Sequence, residues 1–217
     1  GEIARRLAHE IKNPLTPIQL SAERIQHKFS DKLNKEDSII LERSTNTIVN
    51  QVNALKVMVN EFAEYARPPQ IQKDKIRIDN LVDEVIELYE INKLISIKKD
   101  KNIPFIYADQ NKLRQVIINL IENSQDALKD IKKPKIKIFI RKKVNEVELI
   151  VEDNGIGIPD EIIGRIFEPY VTSKKTGTGL GLAIVHKIIE EHDGKIKIER
   201  INTSGTRVLI KFKSENE

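Results

Sequence analysis

The chain has no cysteine in its 217 residues. That excludes disulfides and thiolate metal sites, and it suits a reducing compartment. Aromatics are scarce, at 5%. Long hydrophobic runs are missing too: the longest near-apolar stretch, Val116 to Ile121, is far too short to cross a bilayer. There is no signal-peptide pattern; Gly1 leads directly into helical sequence, as expected of a fragment cut from a longer protein. A strong charge imbalance is also lacking, since the net charge of +4 is spread along the chain. Residues 1–68 hold ten Lys/Arg against nine Asp/Glu. The one basic run, Lys129 to Lys143, alternates Ile136, Ile138 and Ile140 with Lys135, Lys137, Phe139 and Arg141. Without interleaved stacking aromatics it reads as the solvated face of a strand, not a nucleic-acid surface.

What is present is charge in quantity, 32% Asp, Glu, Lys and Arg beside 39% apolar residues, a soluble and helix-friendly mixture. Ala4, Ala8, Ile11, Leu15, Ile18, Ala22, Ile25 and Phe29 step by alternating fours and threes. This is the seam of a helix in a coiled coil or bundle. A polar stretch, Ser30 to Ser38, breaks it. A second seam runs Leu41, Thr45, Ile48, Val52, Leu55, Val59, Phe62 and Ala66, and Arg67-Pro68-Pro69 ends it. Two helices cannot bury two such seams alone, so a four-helix bundle formed by a symmetric homodimer is expected. Pro14 and Pro17 favour a bend just past His9.

From Lys75 the pattern becomes mixed. Short strands are expected at Ile76–Ile78, Ile95–Lys98 and Pro104–Tyr107. Asp79 is expected to cap a helix over Leu81–Tyr89, and Asp109 to open a long one. Hairpins are expected at Lys135–Lys143 with Glu146–Glu152, and at Lys195–Ile201 with Thr206–Phe212. Gly155–Thr178 reads as a long loop and Leu180–His192 as a helix. The fold class is thus α+β: a helical hairpin over residues 1–68, a linker over 69–74, and an α/β sandwich over 75–217.

Four segments carry chemistry. His9 lies one step off the first seam, facing water, with Glu10 beside it; an imidazole is a suitable nucleophile for phosphoryl transfer near neutral pH. Asn119 and Asn123 share a helix face, and their amide oxygens suit Mg²⁺ completed by phosphate. Asp153-Asn-Gly155-Ile-Gly157 ends a strand, offering a carboxylate for an exocyclic amine and glycines for close approach. Gly177-Thr-Gly179-Leu180-Gly181 runs into a helix, whose N-terminal amides attract phosphate. It is neither a dinucleotide fingerprint nor a Walker A loop.

The order of these segments resembles the sensor histidine kinases. Leu7 to Arg24 is similar to their phosphoacceptor box, most closely to the NtrY-type nitrogen-regulation sensors, and Ile166-Phe167-Glu168-Pro169-Tyr170 is similar to their phenylalanine box. The resemblance implies a Bergerat-type ATP-binding module, as in gyrase, Hsp90 and MutL, with a lid over about 155–178. It implies catalytic roles for His9, Glu10 and Asn13, the last in partner dephosphorylation. It assigns ATP to Asn119, Asn123, Asp153, Gly155, Gly157, Phe167, the glycines 177, 179 and 181, Leu180 and Thr206. Phosphate falls to Lys174 or Lys175, and Mg²⁺ to Asn123. The resemblance also implies a Lys or Arg near Asp126 in many members, a phosphate contact this chain does not offer there. The implied partners are a second copy and the receiver domain of a response regulator. The implied location is cytoplasmic for this segment, with a parent anchored in the inner membrane through segments not in this sequence. Two alternatives remain: a hydrolytic ATPase, disfavoured because Asn119 stands where a water-activating glutamate would be, and a nucleotide-binding regulator without kinase activity.

Overall fold

The helical hairpin at the start of the chain buries only a narrow apolar stripe. The computed structural model describes residues 2–66, 70–88, 94–174, 177–201 and 204–215. Helices α1 (Glu2–Phe29) and α2 (Lys35–Tyr65) flank a 3₁₀ turn, Ser30–Lys32. The break is shorter than the polar Ser30–Ser38 stretch suggests, because Asn34 caps α2 by accepting from the Asp37 amide at 2.9 Å. Ala8, Leu15 and Ala22 of α1 and Thr45, Val52 and Val59 of α2 are buried, each set at heptad spacing. The other half of each seam is open: Ile18 is 48% and Leu55 43% exposed, with Ile11, Ile25 and Ile48 similar. Pro14 and Pro17 lie inside α1, which continues through both.

The chain divides into two units, Gly1–Pro68 and Pro69–Glu217. In the second, β1 (Asp74–Ile76) pairs antiparallel with β3 (Ile106–Ala108). Strand β1 and helix α3 (Ile78–Leu88) begin two to three residues earlier than the sequence pattern suggests. Arg77 supplies the carbonyl that starts α3, accepting from the Leu81 amide at 3.2 Å. Asp79 is therefore not the cap; it lies in the first turn and takes the Arg77 guanidinium at 2.8 and 3.1 Å. The proposed helix end at Tyr89 falls outside the described residues. The stretch expected to be linker is already tied down, since the Gln72 amide donates to Asp109 and Lys73 pairs with Asp193, both at 3.1 Å.

The main sheet has order β2-β4-β5-β7-β6, built from β2 (Ile95–Lys99), β4 (Ile136–Lys143), β5 (Glu146–Asp153), β6 (Lys195–Arg200) and β7 (Thr206–Lys213). The β2–β4 pair is parallel and the rest are antiparallel. Alternation sorts its faces. Ile138, Val151, Val208 and Ile198 align across four strands on the buried face, and one step along stand Glu148 opposite Lys211 and Glu152 opposite Arg207. Those opposite-charge pairs close at 3.1 and 2.6 Å, so the second face carries ion pairs, with Glu148 and Ile150 of β5 covered by their neighbours. Lys137, Arg141, Lys142 and Lys143, the basic residues of β4, are exposed.

Helix α4 (Gln110–Ala127) starts where Asp109 accepts from the Asn111 and Lys112 amides at 3.0 and 3.1 Å. It buries Leu113, Val116, Ile117, Leu120 and Ile121 against β5 and against α3 and α6 (Gly181–Glu191). Among the described residues of the expected loop over 155–178 there is one short helix, α5 (Asp160–Ile163), started after Pro159. An α+β architecture with a long helical hairpin ahead of a mixed sheet is therefore the fold of this chain.

Candidate functional site

In the first unit the buried Ala8 turns the next residue outward, and His9 is exposed on α1. Glu10 does not hold the imidazole: its carboxylate pairs with Arg6, one turn back, at 3.5 Å. Helical spacing favours this i, i+4 contact over one between neighbours, which point to different sides. Asn13 is exposed one turn after His9, on the same side of the helix.

The second unit gathers residues from five places in the sequence. Asp153 is the last residue of β5 on the buried face and retains 8% exposure. Its Oδ1 accepts from the Gly155 amide at 2.9 Å and its Oδ2 from the Ser124 hydroxyl at 3.3 Å. Burial pushes its carboxyl above the ordinary range; the bonds from Gly155, Ser124 and the Thr206 amide pull the other way. Thr206, opposite Asp153 in the β5–β7 register, is buried beside it. Gly155 has no room for a side chain, since a Cβ there would lie 2.6 Å from the Ala127 carbonyl. That carbonyl, at the end of α4, accepts from the Ile156 amide at 3.2 Å. Asn154 ties the turn to the approach to β4, exchanging bonds with Lys135 and Lys133. Gly157 follows with a left-handed backbone.

Helix α4 presents Asn119 and Asn123, both half-buried, while Glu122 between them is exposed on another face. Asn119 faces the start of α6, where a Cβ on Gly181 would sit 3.7 Å from its Oδ1. Ahead of α6, Gly179 takes φ +69°, and a Cβ there would strike the Tyr170 backbone at 2.5 Å. Its carbonyl accepts from the Tyr170 amide at 3.0 Å, fixing the segment after Phe167 against the glycine turn. Leu180 is fully buried, and its amide donates to the Thr178 hydroxyl at 3.3 Å. Phe167 stacks on His186 of α6, ring centroids 4.6 Å apart. Gly177 packs close to Thr172 and Lys174.

Of the two lysines considered for phosphate, Lys175 falls outside the described residues. Lys174 donates to Asn123 Oδ1 at 2.8 Å and to Asp126 Oδ2 at 2.7 Å. Lys129 takes the other Asp126 oxygen at 2.8 Å. Desolvation alone would raise the Asp126 carboxyl, but hydrogen bonds and charge from Lys129 and Lys174 hold it below the ordinary carboxylate range. An amide oxygen and a carboxylate here already hold a cation, so the donor set fits a hard metal ion completed by phosphate oxygens. Among the described residues, no group of three or more His, Cys, Asp or Glu forms a metal cluster.

Sequence reasoning missed two side chains here. Ser124 supports Asp153 from 29 residues away; its only sequence signal is its place next to Asn123. His192 is buried: its Nε2 accepts from the Asp109 amide at 2.9 Å and its Nδ1 lies 2.7 Å from the Ile188 carbonyl. Burial lowers its pKa, which keeps the ring neutral in that arrangement.

Two family models match. Residues 108–216 match the histidine kinase-, DNA gyrase B- and HSP90-like ATPase domain, and residues 1–93 match the His Kinase A phospho-acceptor domain. A putative sensor histidine kinase, NtrY-like, of Rickettsia conorii is 36% identical over 98% of this chain and 36% of its own length. The nitrogen regulation protein NtrY of Azorhizobium caulinodans is 37% identical over 91% of this chain and 26% of its own. The chain thus spans about a third or less of these relatives. Among solved structures, the histidine kinase ThkA, in complex with the response regulator protein TrrA, superposes with a TM-score of 0.71 at 30% identity. That match covers 99% of this chain and 62% of that one.

Proposed function

Since the chain belongs to the sensor histidine kinases, carrying both their phospho-acceptor and their ATPase domain, we propose that it phosphorylates His9 from ATP and passes the phosphoryl group to an aspartate of a response regulator. The observation that carries this reading is one chain holding a water-facing imidazole on a helical hairpin and a buried carboxylate ringed by glycine turns. Asp153 accepts from the adenine amine, with Thr206 and Gly157 beside the base. Asn119, Asn123 and the amides at the start of α6 from Gly177 to Gly181 orient the phosphates. Mg²⁺, held by Asn123 and phosphate oxygens, would offset the charge that develops in transfer.

The unprotonated ring nitrogen of His9 is the nucleophile: it forms the N–P bond as the bond to ADP breaks. With Glu10 occupied by Arg6, the ring proton is left to water. Asn13, one turn away, is placed to orient water for the reverse task, dephosphorylation of the regulator. The unburied halves of the two seams are the surface on which a second copy completes a four-helix bundle. No helix among the described residues is long and apolar enough to cross a membrane; membrane anchoring of the parent rests on segments outside this chain.

The test is labelling with γ-labelled ATP and Mg²⁺ in the parent chain, His9→Gln and Asn123→Ala. Label that is stable in alkali, labile in acid and absent from both variants is the expected result. Steady hydrolysis with no phosphoprotein would favour the ATPase reading instead, and label persisting in His9→Gln would remove His9 from its role.

A further inference from the structure

Asp126 is an awkward residue for a phosphate site. It lies one turn after Asn123 on α4, and an unneutralised carboxylate there would repel a triphosphate. It is neutralised by two cations, the Lys174 ammonium on Oδ2 and the Lys129 ammonium on Oδ1. Only Lys174 also engages Asn123, so its ammonium sits between an amide oxygen and a carboxylate oxygen at 2.8 and 2.7 Å. Those are the hard oxygen donors a divalent cation accepts. We propose, resting on the nucleotide site described above, that Asp126 is a positioning residue of the metal–nucleotide site and that the Lys174 ammonium stands in for Mg²⁺ on Asn123 and Asp126 until ATP brings the metal.

The exchange breaks no covalent bond. The arriving metal takes the Asn123 oxygen and is supported by the Asp126 carboxylate; the displaced ammonium is then free for the phosphates, which carry the negative charge that came with the metal. Ammonium and metal exclude each other on this oxygen pair, so Lys174 is an internal competitor of Mg²⁺. Lys129 reaches only the far oxygen of Asp126, from a side chain that is mostly in water.

The probe is Mn²⁺ alone, with binding to the nucleotide-free chain followed by electron paramagnetic resonance in the parent, Lys174→Met and Lys174→Met with Asp126→Asn. Calorimetry of ATP binding in Mg²⁺ or in EDTA completes the set, with Asp126→Asn alone added. Lys174→Met is expected to bind Mn²⁺ at least about threefold more tightly than the parent, and Asp126→Asn to abolish that gain. In the ATP series, Asp126→Asn is expected to shrink the affinity gain brought by Mg²⁺ by about tenfold. Equal Mn²⁺ affinity in the parent and Lys174→Met, or an Mg²⁺ gain indifferent to Asp126→Asn, overturns the proposal while leaving ATP binding intact. A parent chain that binds no ATP in either condition overturns the nucleotide reading and this proposal with it. Both side chains are partly exposed, and unchanged melting temperatures will separate these effects from misfolding.

Discussion

A carboxyl group that is pushed up by burial pays for its ionised form in folding free energy, and Asp153 is such a group. Its worth therefore lies in what it accepts from a ligand. Asp153→Asn keeps an oxygen for the Gly155 amide, while Ser124 can turn to accept from the new amide. The expected outcome is ATP binding about 10- to 100-fold weaker, the loss of one charge-assisted bond, with no fall in melting temperature. Because the carboxyl takes up its proton at higher pH than a surface aspartate, the parent's nucleotide affinity should fall on the acid side with a component added to that of phosphate protonation. Titrating affinity against pH in both chains checks this, since the Asn variant should lack that component. Gly155 gives a second residue-scale prediction. An added methyl would meet the Ala127 carbonyl at 2.6 Å, so Gly155→Ala should cost about 1–3 kcal/mol in urea unfolding as well as ATP affinity. The motif spacing disclosed the identities of Asp153, Asn119, Asn123 and the glycines. It did not disclose their partners, because Ser124 and Lys174 come from 29 and 51 residues away and carry no local signature.

At the scale of elements, His192 joins the end of α6 to the start of α4. Its pKa is lowered chiefly by burial, so the unfolded chain binds the proton more readily than the folded one. Stability is then full above the unfolded value of about 6.5 and is lost as pH falls below it, at no more than about 1.4 kcal/mol per pH unit from this group. Urea midpoints between pH 8 and pH 5.5 should show that decline. His192→Gln, which retains one donor and one acceptor, should flatten it. Elements with a local cause were legible in the sequence: α4 from its Asp109 cap, and β4 and β5 from alternation around Val144-Asn145. Those whose ends depend on distant partners were not. Strand β1 falls at Asp74–Ile76 because it pairs with β3 some thirty residues on, and α3 takes its first turn from Arg77, not from Asp79. Glu10, next to His9 in sequence, pairs instead with Arg6 for a related reason, since adjacent residues on a helix diverge and Arg6 lies one turn back on the same side.

For the whole molecule, the two units make separate demands. The hairpin leaves Ile18 and Leu55 open while its buried stripe, Leu15 apart, is lined by alanine, threonine and valine, a core too thin to hold two long helices firmly alone. Ile18→Glu with Leu55→Glu should shift sedimentation from dimer to monomer and melt the hairpin at lower temperature, with ATP binding by the second unit unchanged. Dimer persisting in that variant would place the interface elsewhere. The seam steps made this legible from sequence, but only the structure separates the half that the hairpin buries from the half it leaves open. The strand order carries a different consequence. In the order β2-β4-β5-β7-β6 the last strand of the chain, β7, is an interior strand. A growing polypeptide that has emerged only as far as β6 lacks the strand that joins β6 to β5, and Val151, Leu149 and Val147 stand without the neighbours they will have. The second unit therefore cannot complete its sheet during synthesis until Lys213 is clear of the ribosome. A message that stops before Thr206 should yield not a shortened kinase domain but an open sheet centre, prone to capture by chaperones or by other unfinished chains.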